Sequence, residues 1–168
     1  MQRLVQAVAS VLSLAVLVPS PASAAEKSLS GTATAKRVVS RSISLPGDDP
    51  RHALVQTVRE DALKSSDPAW DESTGLAYEQ SDSVATGGSH RGYSVIRHKN
   101  GDETYLKYEG TAQVVGEGSA QEISIAGTLE VTGGTGRFKG VKGTGKYTGK
   151  AMAKGQVINW ELTLTGMD

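Results

Sequence analysis

The histidines are the first side chains in this sequence that could do chemistry, because an imidazole titrates near neutral pH and ligates metals. His90 and His98 are eight residues apart. On an extended strand they would share a face but lie about 26 Å from each other, so they cannot bind one metal ion together. His52 would have to join one of them from another strand. We therefore predict no metal site and no cofactor, and we expect the histidines at the rim or surface of the fold.

A second group of candidate site residues consists of polar and aromatic side chains on the otherwise apolar faces of predicted strands. In the segment 74–85, Tyr78, Gln80 and Asp82 share a face with apolar residues. An apolar pocket with a few converging polar groups is what a small-molecule site requires, because buried polar groups need partners. We predict a ligand-binding lumen lined by Tyr78, Gln80, Asp82, Tyr108, Tyr147 and Trp160. The alternative is that Gln80 and Asp82 lie near the end of the strand and face solvent.

Motifs assign no catalytic residue. The sequence contains neither a G-x-S-x-G nucleophile elbow nor an H-E-x-x-H zinc motif. Arg59, Glu60 and Asp61 form a charged run, but adjacent strand residues point to opposite faces, so the two neighbouring carboxylates cannot cooperate in acid–base work. We expect this run at a solvated edge. If the protein is an enzyme, Asp82 and a luminal tyrosine are the candidates for polar roles.

Glycines dominate the stretch from Thr132 to Gly149, TGGTGRFKGVKGTGKYTG. Part of it nearly matches a phosphate-binding P-loop, but Tyr147 stands where a serine or threonine should ligate magnesium, and a strand-like pattern follows in place of a helix. The pattern favours a tight hairpin, whose structural glycines are Gly133, Gly134, Gly136 and Gly140. Glycines at alternate inward positions of the next strand would leave interior space, which Trp160 could fill.

Alternation of apolar and polar residues dominates the rest of the chain, and helical periodicity is almost absent. The last strand is the clearest example, with Ile158, Trp160 and Leu162 on one face and polar residues on the other. We predict strands over 36–45, 51–61, 74–85, 89–99, 102–115, 121–132, 138–152 and 156–166; a short helix over 54–63 is a competing interpretation. One dry face per strand and short hairpin connections predict an all-β fold, a single closed antiparallel barrel of about eight strands.

Two segments resemble a known family. The run G-G-T-G-R-F-K-G over 133–140 and the run H-R-G-Y-S-V-I-R-H-K-N-G-D over 90–102 are similar to motifs of the allene oxide cyclase-like and dirigent-like barrels, including bacterial secreted proteins of the cyclase-like kind. The resemblance implies a calycin-like, eight-stranded barrel with a central cavity. The plant cyclases close an unsaturated fatty-acid epoxide to a ring, and dirigent proteins guide radical coupling. The resemblance places neither group's catalytic residues on this chain.

The N-terminal residues have the pattern of a secretory signal. An apolar run after Arg3 ends in an A-x-A site at 22–24, and it is shorter than the ~20 residues of a membrane-spanning helix. We predict a cleaved signal peptide over 1–24, a flexible tether over 25–35 and a barrel domain over 36–168. The protein would then be exported, to the periplasm or outside the cell.

Composition narrows the function further. Eighteen basic and eighteen acidic residues balance, so we expect no nucleic-acid partner. The chain has no cysteine and therefore no disulfide. Lysines on an outer strand face argue against a lipid-facing barrel. We expect a barrel that binds a small, largely apolar molecule in its lumen. The alternatives are a cyclase or isomerase that acts by positioning its substrate, and a non-catalytic envelope or interaction module, which a solid core and an exposed apolar patch near Trp70 would favour.

Overall fold

The protein is an all-β closed barrel of eight antiparallel strands, as the alternation predicts. The computed structural model describes residues 26–45, 47, 49–117, 121–152 and 155–166. The strands are β1 (Lys27–Ser44), β2 (Ala53–Ser65), β3 (Thr74–Val84), β4 (Gly87–Arg97), β5 (Glu103–Val115), β6 (Glu122–Gly134), β7 (Lys142–Met152) and β8 (Gly155–Thr165). Each strand pairs with the next, and β1 pairs with β8 to close the barrel. No helix among these residues is long and apolar enough to cross a membrane.

The period-two pattern of the sequence decides which side chains fill the barrel. In β8, Trp160, Leu162 and Leu164 are buried while Glu161 between them is exposed, as the sequence predicts. The lysines of β7 likewise lie on the outer face. Closure removes the sheet edges, so the backbone groups of these strands pair within the sheet.

The beginning of the barrel differs from the predicted boundary. β1 starts at Lys27, so most of the stretch predicted as a tether belongs to the barrel and pairs with both β2 and β8. Leu29, Ala33 and Ala35 point inward at alternate positions, and small residues in a Ser/Thr-rich segment conceal this alternation. The predicted signal peptide, 1–24, lies outside the described residues. The competing short helix over 54–63 is wrong, because that segment is part of β2.

A glycine-rich hairpin joins β6 to β7, and its glycines divide into two roles. Gly133 and Gly134 still belong to β6, at an irregularity in its pairing with β5. The chain turns in a short 3₁₀ segment, Gly136–Phe138. There Gly136 (φ 52°) and Gly140 (φ 80°) adopt the left-handed conformation that favours glycine.

Aromatic side chains plug the end of the barrel that carries this turn. Trp70, from the β2–β3 loop, and Phe138 are both fully buried, and their ring centroids lie 5.9 Å apart in an edge-to-face arrangement. His98 stacks on Phe138 at 4.1 Å between centroids. The loop folds the Trp70 indole into the barrel, so Trp70 itself does not form part of an exposed apolar patch. The Lys27–Asp67 ion pair links the loop to β1.

Trp160 fits into the barrel because a neighbouring strand has a glycine beside it. Gly31 of β1 pairs with Trp160 of β8, and a Cβ at Gly31 would lie 2.5 Å from the indole and 2.1 Å from the carbonyl oxygen of Lys64. The glycines of β7 were expected to leave space for Trp160. They instead allow the backbones of β7 and β8 to approach each other closely. A Cβ at Gly145 would lie 1.9 Å from the carbonyl oxygen of Glu161.

We expect Gly31→Ala to destabilise the protein by about 1–3 kcal/mol, because the methyl group collides with a backbone carbonyl that cannot move aside. Urea denaturation followed by circular dichroism measures the effect. Gly47→Ala is the matched control, since a Cβ at Gly47 meets no atom within 4 Å. Equal midpoints for the two variants would contradict the described packing of Trp160.

Candidate functional site

A buried ionic cluster occupies the middle of the lumen. Arg59 and Asp61 of β2 and Glu79 of β3 have side chains only 7%, 8% and 11% exposed. The Arg59 guanidinium bonds the Glu79 carboxylate, and its Nε lies 3.5 Å from Oδ1 of Asp61. The expectation of a solvated edge is therefore wrong. Arg59 and Asp61 are two residues apart, so they share the inward face, and only Glu60 between them points outward.

Burial sets the protonation of this cluster. Desolvation raises the pKa of Asp61, although the Arg59 guanidinium opposes that rise. For Arg59, burial works against the charge, but Tyr108, Asp61 and Glu79 together raise its pKa above the ordinary value. The cluster thus holds a permanent cation beside a carboxyl group that retains its proton to higher pH than usual. Such a carboxyl group can both donate and accept hydrogen bonds.

Three rings form the wall next to the cluster. The ring centroids of His90, Tyr108 and Tyr147 lie 6.0–6.4 Å from one another. His90 Nε2 and the Tyr147 hydroxyl share a hydrogen bond of 2.5 Å, and the Tyr108 hydroxyl donates to Glu79 at 3.3 Å. Burial lowers the pKa of His90, with Glu79 opposing and Arg59 adding to the effect. Burial raises the pKa of Tyr147, so the pair is neutral near pH 7.

Two spaces in the lumen share some of these side chains. An inner cavity of about 80 Å³ lies between the cluster and the aromatic plug. A mouth chamber of about 250 Å³ lies toward the opposite end and is lined by residues such as Thr57, Ser81 and Ala112. Glu79, His90 and Ile125 line both spaces. The lumen is therefore plugged at one end, open at the other and not filled by side chains.

The inner cavity collects buried polar atoms that have no hydrogen-bond partner within the protein. Among the described residues, six buried side-chain atoms are unpartnered. Five of them belong to residues that line this cavity: Arg59 Nε, Asp61 Oδ1, Trp70 Nε1, Ser94 Oγ and Trp160 Nε1. The sixth, Gln156 Oε1, lines the mouth chamber. Native proteins leave few such atoms without partners, so their concentration in one cavity needs a reason.

Three of the predicted luminal residues lie where the sequence places them. Tyr108, Tyr147 and Trp160 are buried and line the inner cavity. Each large ring sits against a glycine of a neighbouring strand. For example, a Cβ at Gly92 would lie 2.5 Å from the Tyr108 ring.

The other three predicted luminal residues do not line the lumen. Tyr78 is 51% exposed, and Gln80 and Asp82 also point outward. Asp82 contacts His52 on the outside, at 2.7 Å. Sequence reasoning chose the more apolar face of β3, but this strand presents small residues and Glu79 to the interior, where the large rings of other strands fill the space.

Sequence reasoning missed Arg59, Asp61, Glu79 and Ser94, and it placed His90 at a rim or surface although it is buried. The sequence of β2 contains one indication that Arg59 and Asp61 point inward. Thr57, Arg59, Asp61 and Leu63 fall on one face, and Leu63 indicates that this face is inward. The charged residues on that face nevertheless predict exposure to solvent, because buried charges are uncommon unless they are paired. The pairing partner, Glu79, comes from a different strand and leaves no mark in the local pattern.

His98, at the plugged end, has a structural role. Its Nε2 lies 2.7 Å from the Thr104 hydroxyl, and its Nδ1 lies 2.9 Å from the Ala69 carbonyl oxygen. Burial lowers its pKa, with the Ala69 hydrogen bond opposing. Within the described ranges, no three histidine or carboxylate side chains come together as metal ligands would.

Comparison with solved structures defines the class of fold. No protein-family model matches the chain, and no curated protein matches its sequence. The pterocarpan synthase dirigent protein GePTS1 matches at a TM-score of 0.51 with 12% identity, over 94% of this chain and 98% of that one. The pterocarpan synthase dirigent protein PsPTS1 matches at 0.50 with 13% identity, over 87% and 98%. The protein is thus a closed β-barrel with a partly polar lumen. More particularly, it has a dirigent-like barrel fold.

We expect Arg59→Met to destabilise the protein by about 3–5 kcal/mol, because it leaves Glu79 and Asp61 buried without their cation. Replacing the whole cluster, as Arg59→Met/Asp61→Asn/Glu79→Gln, should recover most of this loss. Urea titration of both variants measures the difference. A single variant as stable as the wild type would show that Arg59 is solvated.

We also expect stability to fall as the pH is lowered from 7.5 to 5.5. The pKa values of His90 and His98 lie below 6.5 in the folded state, so the unfolded chain binds more protons in this range, and acid favours unfolding. Asp61, with its raised pKa, acts in the opposite sense at lower pH. His90→Gln should flatten the dependence of the urea midpoint on pH. Equal slopes for the wild type and His90→Gln would contradict the burial of His90.

Proposed function

We propose that this protein binds a small, largely apolar molecule in the barrel lumen, with entry through the mouth chamber. The observation that carries the proposal is the set of five unpartnered buried polar atoms lining the inner cavity. Leaving such atoms unsatisfied costs about 1–3 kcal/mol each. A ligand that reaches them through the mouth would supply the missing hydrogen bonds.

The dimensions and walls of the lumen suit a molecule of modest size. The mouth chamber alone approaches the lower limit of typical ligand pockets, about 300 Å³. Leu106, Leu129 and Ile158 give the inner cavity an apolar wall. The ionic cluster and the three rings stand at the junction of the two spaces. A ligand would therefore place its apolar body between aliphatic and aromatic side chains and its polar group against the cluster.

A cyclase or isomerase that works by positioning its substrate is the second candidate. Asp61, whose pKa burial raises, and the His90–Tyr147 pair both line the inner cavity. Groups of this kind can donate or accept a proton from a bound substrate, and holding a reactive molecule in shape can supply much of a rate enhancement. The dirigent proteins with this fold are pterocarpan synthase proteins, which is compatible with the hypothesis but assigns no reaction to this chain.

We further propose that the protein is exported, with cleavage after Ala24. The A-x-A site at 22–24 and the short apolar run before it support this proposal. N-terminal sequencing of protein secreted by its native host tests it. Recovery of the intact chain from the cytoplasm alone would overturn it.

Blocking the mouth tests the binding function. Ala112→Trp places an indole in the mouth chamber, whereas Thr111→Trp places one on the outer face of the same strand. With 2-naphthol as an apolar probe bearing one hydroxyl, we expect saturable binding to the wild type and to Thr111→Trp, and at least tenfold weaker binding to Ala112→Trp. Ligand-observed NMR titration gives the dissociation constants. No saturable binding to the wild type, or equal loss in both variants, would contradict a luminal site.

A further inference from the structure

Hydrogen-bond donors outnumber acceptors among the unpartnered atoms of the inner cavity. Arg59 Nε and the indole nitrogens of Trp70 and Trp160 can only donate. Ser94 Oγ can donate or accept, and Asp61 Oδ1 is the remaining oxygen. Each protonated nitrogen needs an acceptor, and a single carboxyl oxygen cannot serve all of them. The group that satisfies this cavity therefore brings acceptor lone pairs.

The other luminal oxygens already take part in hydrogen bonds within the protein. Glu79 already accepts from the Arg59 guanidinium and from the Tyr108 hydroxyl. The Tyr147 hydroxyl shares a hydrogen bond with His90. Asp61 lies 3.5 Å from Arg59 Nε, close enough for an ion pair but not for an aligned hydrogen bond. The donors thus lack acceptors within the protein, and the residues that carry them line the cavity.

The charges around the cavity select a neutral group. Arg59 disfavours an ammonium ion, and Glu79 together with Asp61 disfavours a carboxylate or phosphate. A neutral oxygen avoids both repulsions. It also avoids most of the cost of stripping water from an ion, which is high in a buried site.

The geometry places Ser94 and Asp61 side by side. A Cβ at Gly75, on the strand between theirs, would lie 3.1 Å from the Asp61 Cβ and 3.5 Å from Ser94 Oγ. Trp70 and Trp160 stand against one another, with ring centroids 5.8 Å apart. The residues that carry the polar atoms line one space of about 80 Å³, which is large enough for a small functional group and too small for a whole ligand.

We propose that the inner cavity is a subsite for the carbonyl oxygen of a neutral ligand, with Ser94, Trp160 and Arg59 as its donors. This inference rests on the luminal binding function proposed above and adds the chemical class of the ligand. The carbonyl group enters first, and the apolar body of the ligand extends past the rings toward the mouth. An alcohol oxygen also accepts hydrogen bonds, but the hydroxyl proton of an alcohol needs an acceptor of its own. Among the unpartnered atoms, only the Asp61 and Ser94 oxygens can accept it, so a carbonyl group fits the cavity better.

Four matched probes test the assignment: acetophenone, 1-phenylethanol, protonated 1-phenylethylamine and ethylbenzene. They share one apolar body and differ in the group offered to the cavity. Ligand-observed NMR titrations at pH 7 should show acetophenone binding the wild type most tightly. Ethylbenzene should bind about threefold to tenfold more weakly, the effect of one or two net hydrogen bonds. The ammonium compound should bind most weakly.

Two variants identify the donors. Ser94→Ala and Trp160→Phe should each weaken acetophenone binding about threefold to tenfold and leave ethylbenzene binding nearly unchanged. Tyr93→Phe is the control, since Tyr93 neighbours Ser94 on β4 but points to solvent.

Ethylbenzene binding as tightly as acetophenone, or an equal loss for both probes in Ser94→Ala, would overturn the carbonyl subsite and leave luminal binding intact. If none of the four probes binds the wild type, luminal binding itself is contradicted and the subsite with it.

Discussion

The enclosure of Arg59 by two carboxyl groups inside the barrel is the interaction on which the rest of the interior depends. A guanidinium in this environment must be paired, since an isolated buried charge is prohibitively costly. Glu79 provides a direct bond and Asp61 a second negative group. The three side chains come from adjacent strands, so the antiparallel β2–β3 register must hold for the cluster to form. The cluster therefore couples the electrostatics of the lumen to the pairing of the sheet.

The cluster also divides the interior into unlike halves. On one side, Trp70, Phe138 and His98 form a packed plug, in which both ring nitrogens of His98 have hydrogen-bond partners. On the other side, the mouth is lined by small and hydroxyl-bearing residues. Between them, the rings of Tyr108 and Tyr147 can stand in the lumen only because neighbouring strands present glycine to them. The same arrangement thus provides stability and a binding site, because the packed aromatic plug closes one end of the barrel and leaves the inner cavity beside it only partly filled.

The sequence predicts the architecture well because a barrel of hairpins is encoded locally. The alternation along β8 indicates that Trp160 points inward, and it uses only neighbouring residues of the sequence. The glycine-rich turn before β7 and the other short hairpins indicate the number of strands and the closure of the barrel in the same way. The site is harder to predict, since its chemistry depends on which strands are neighbours. The local pattern of β3 predicts an outward Glu79, and only the pairing of β3 with β2 brings Arg59 to it as a buried partner. The same pattern predicts a luminal Tyr78, although the rings of other strands already occupy the interior. The start of β1 was missed for a related reason, because alanine and serine alternate with too little contrast to indicate a buried face.

A high-resolution crystal structure of the protein shows directly whether the inner cavity is an open polar subsite. We expect an open inner cavity with density for water or a bound molecule within hydrogen-bond distance of Asp61 Oδ1 and Ser94 Oγ, beside an Arg59–Glu79 pair. Side chains that fill this space, with Asp61 and Ser94 bonded to each other and no cavity between them, would contradict it.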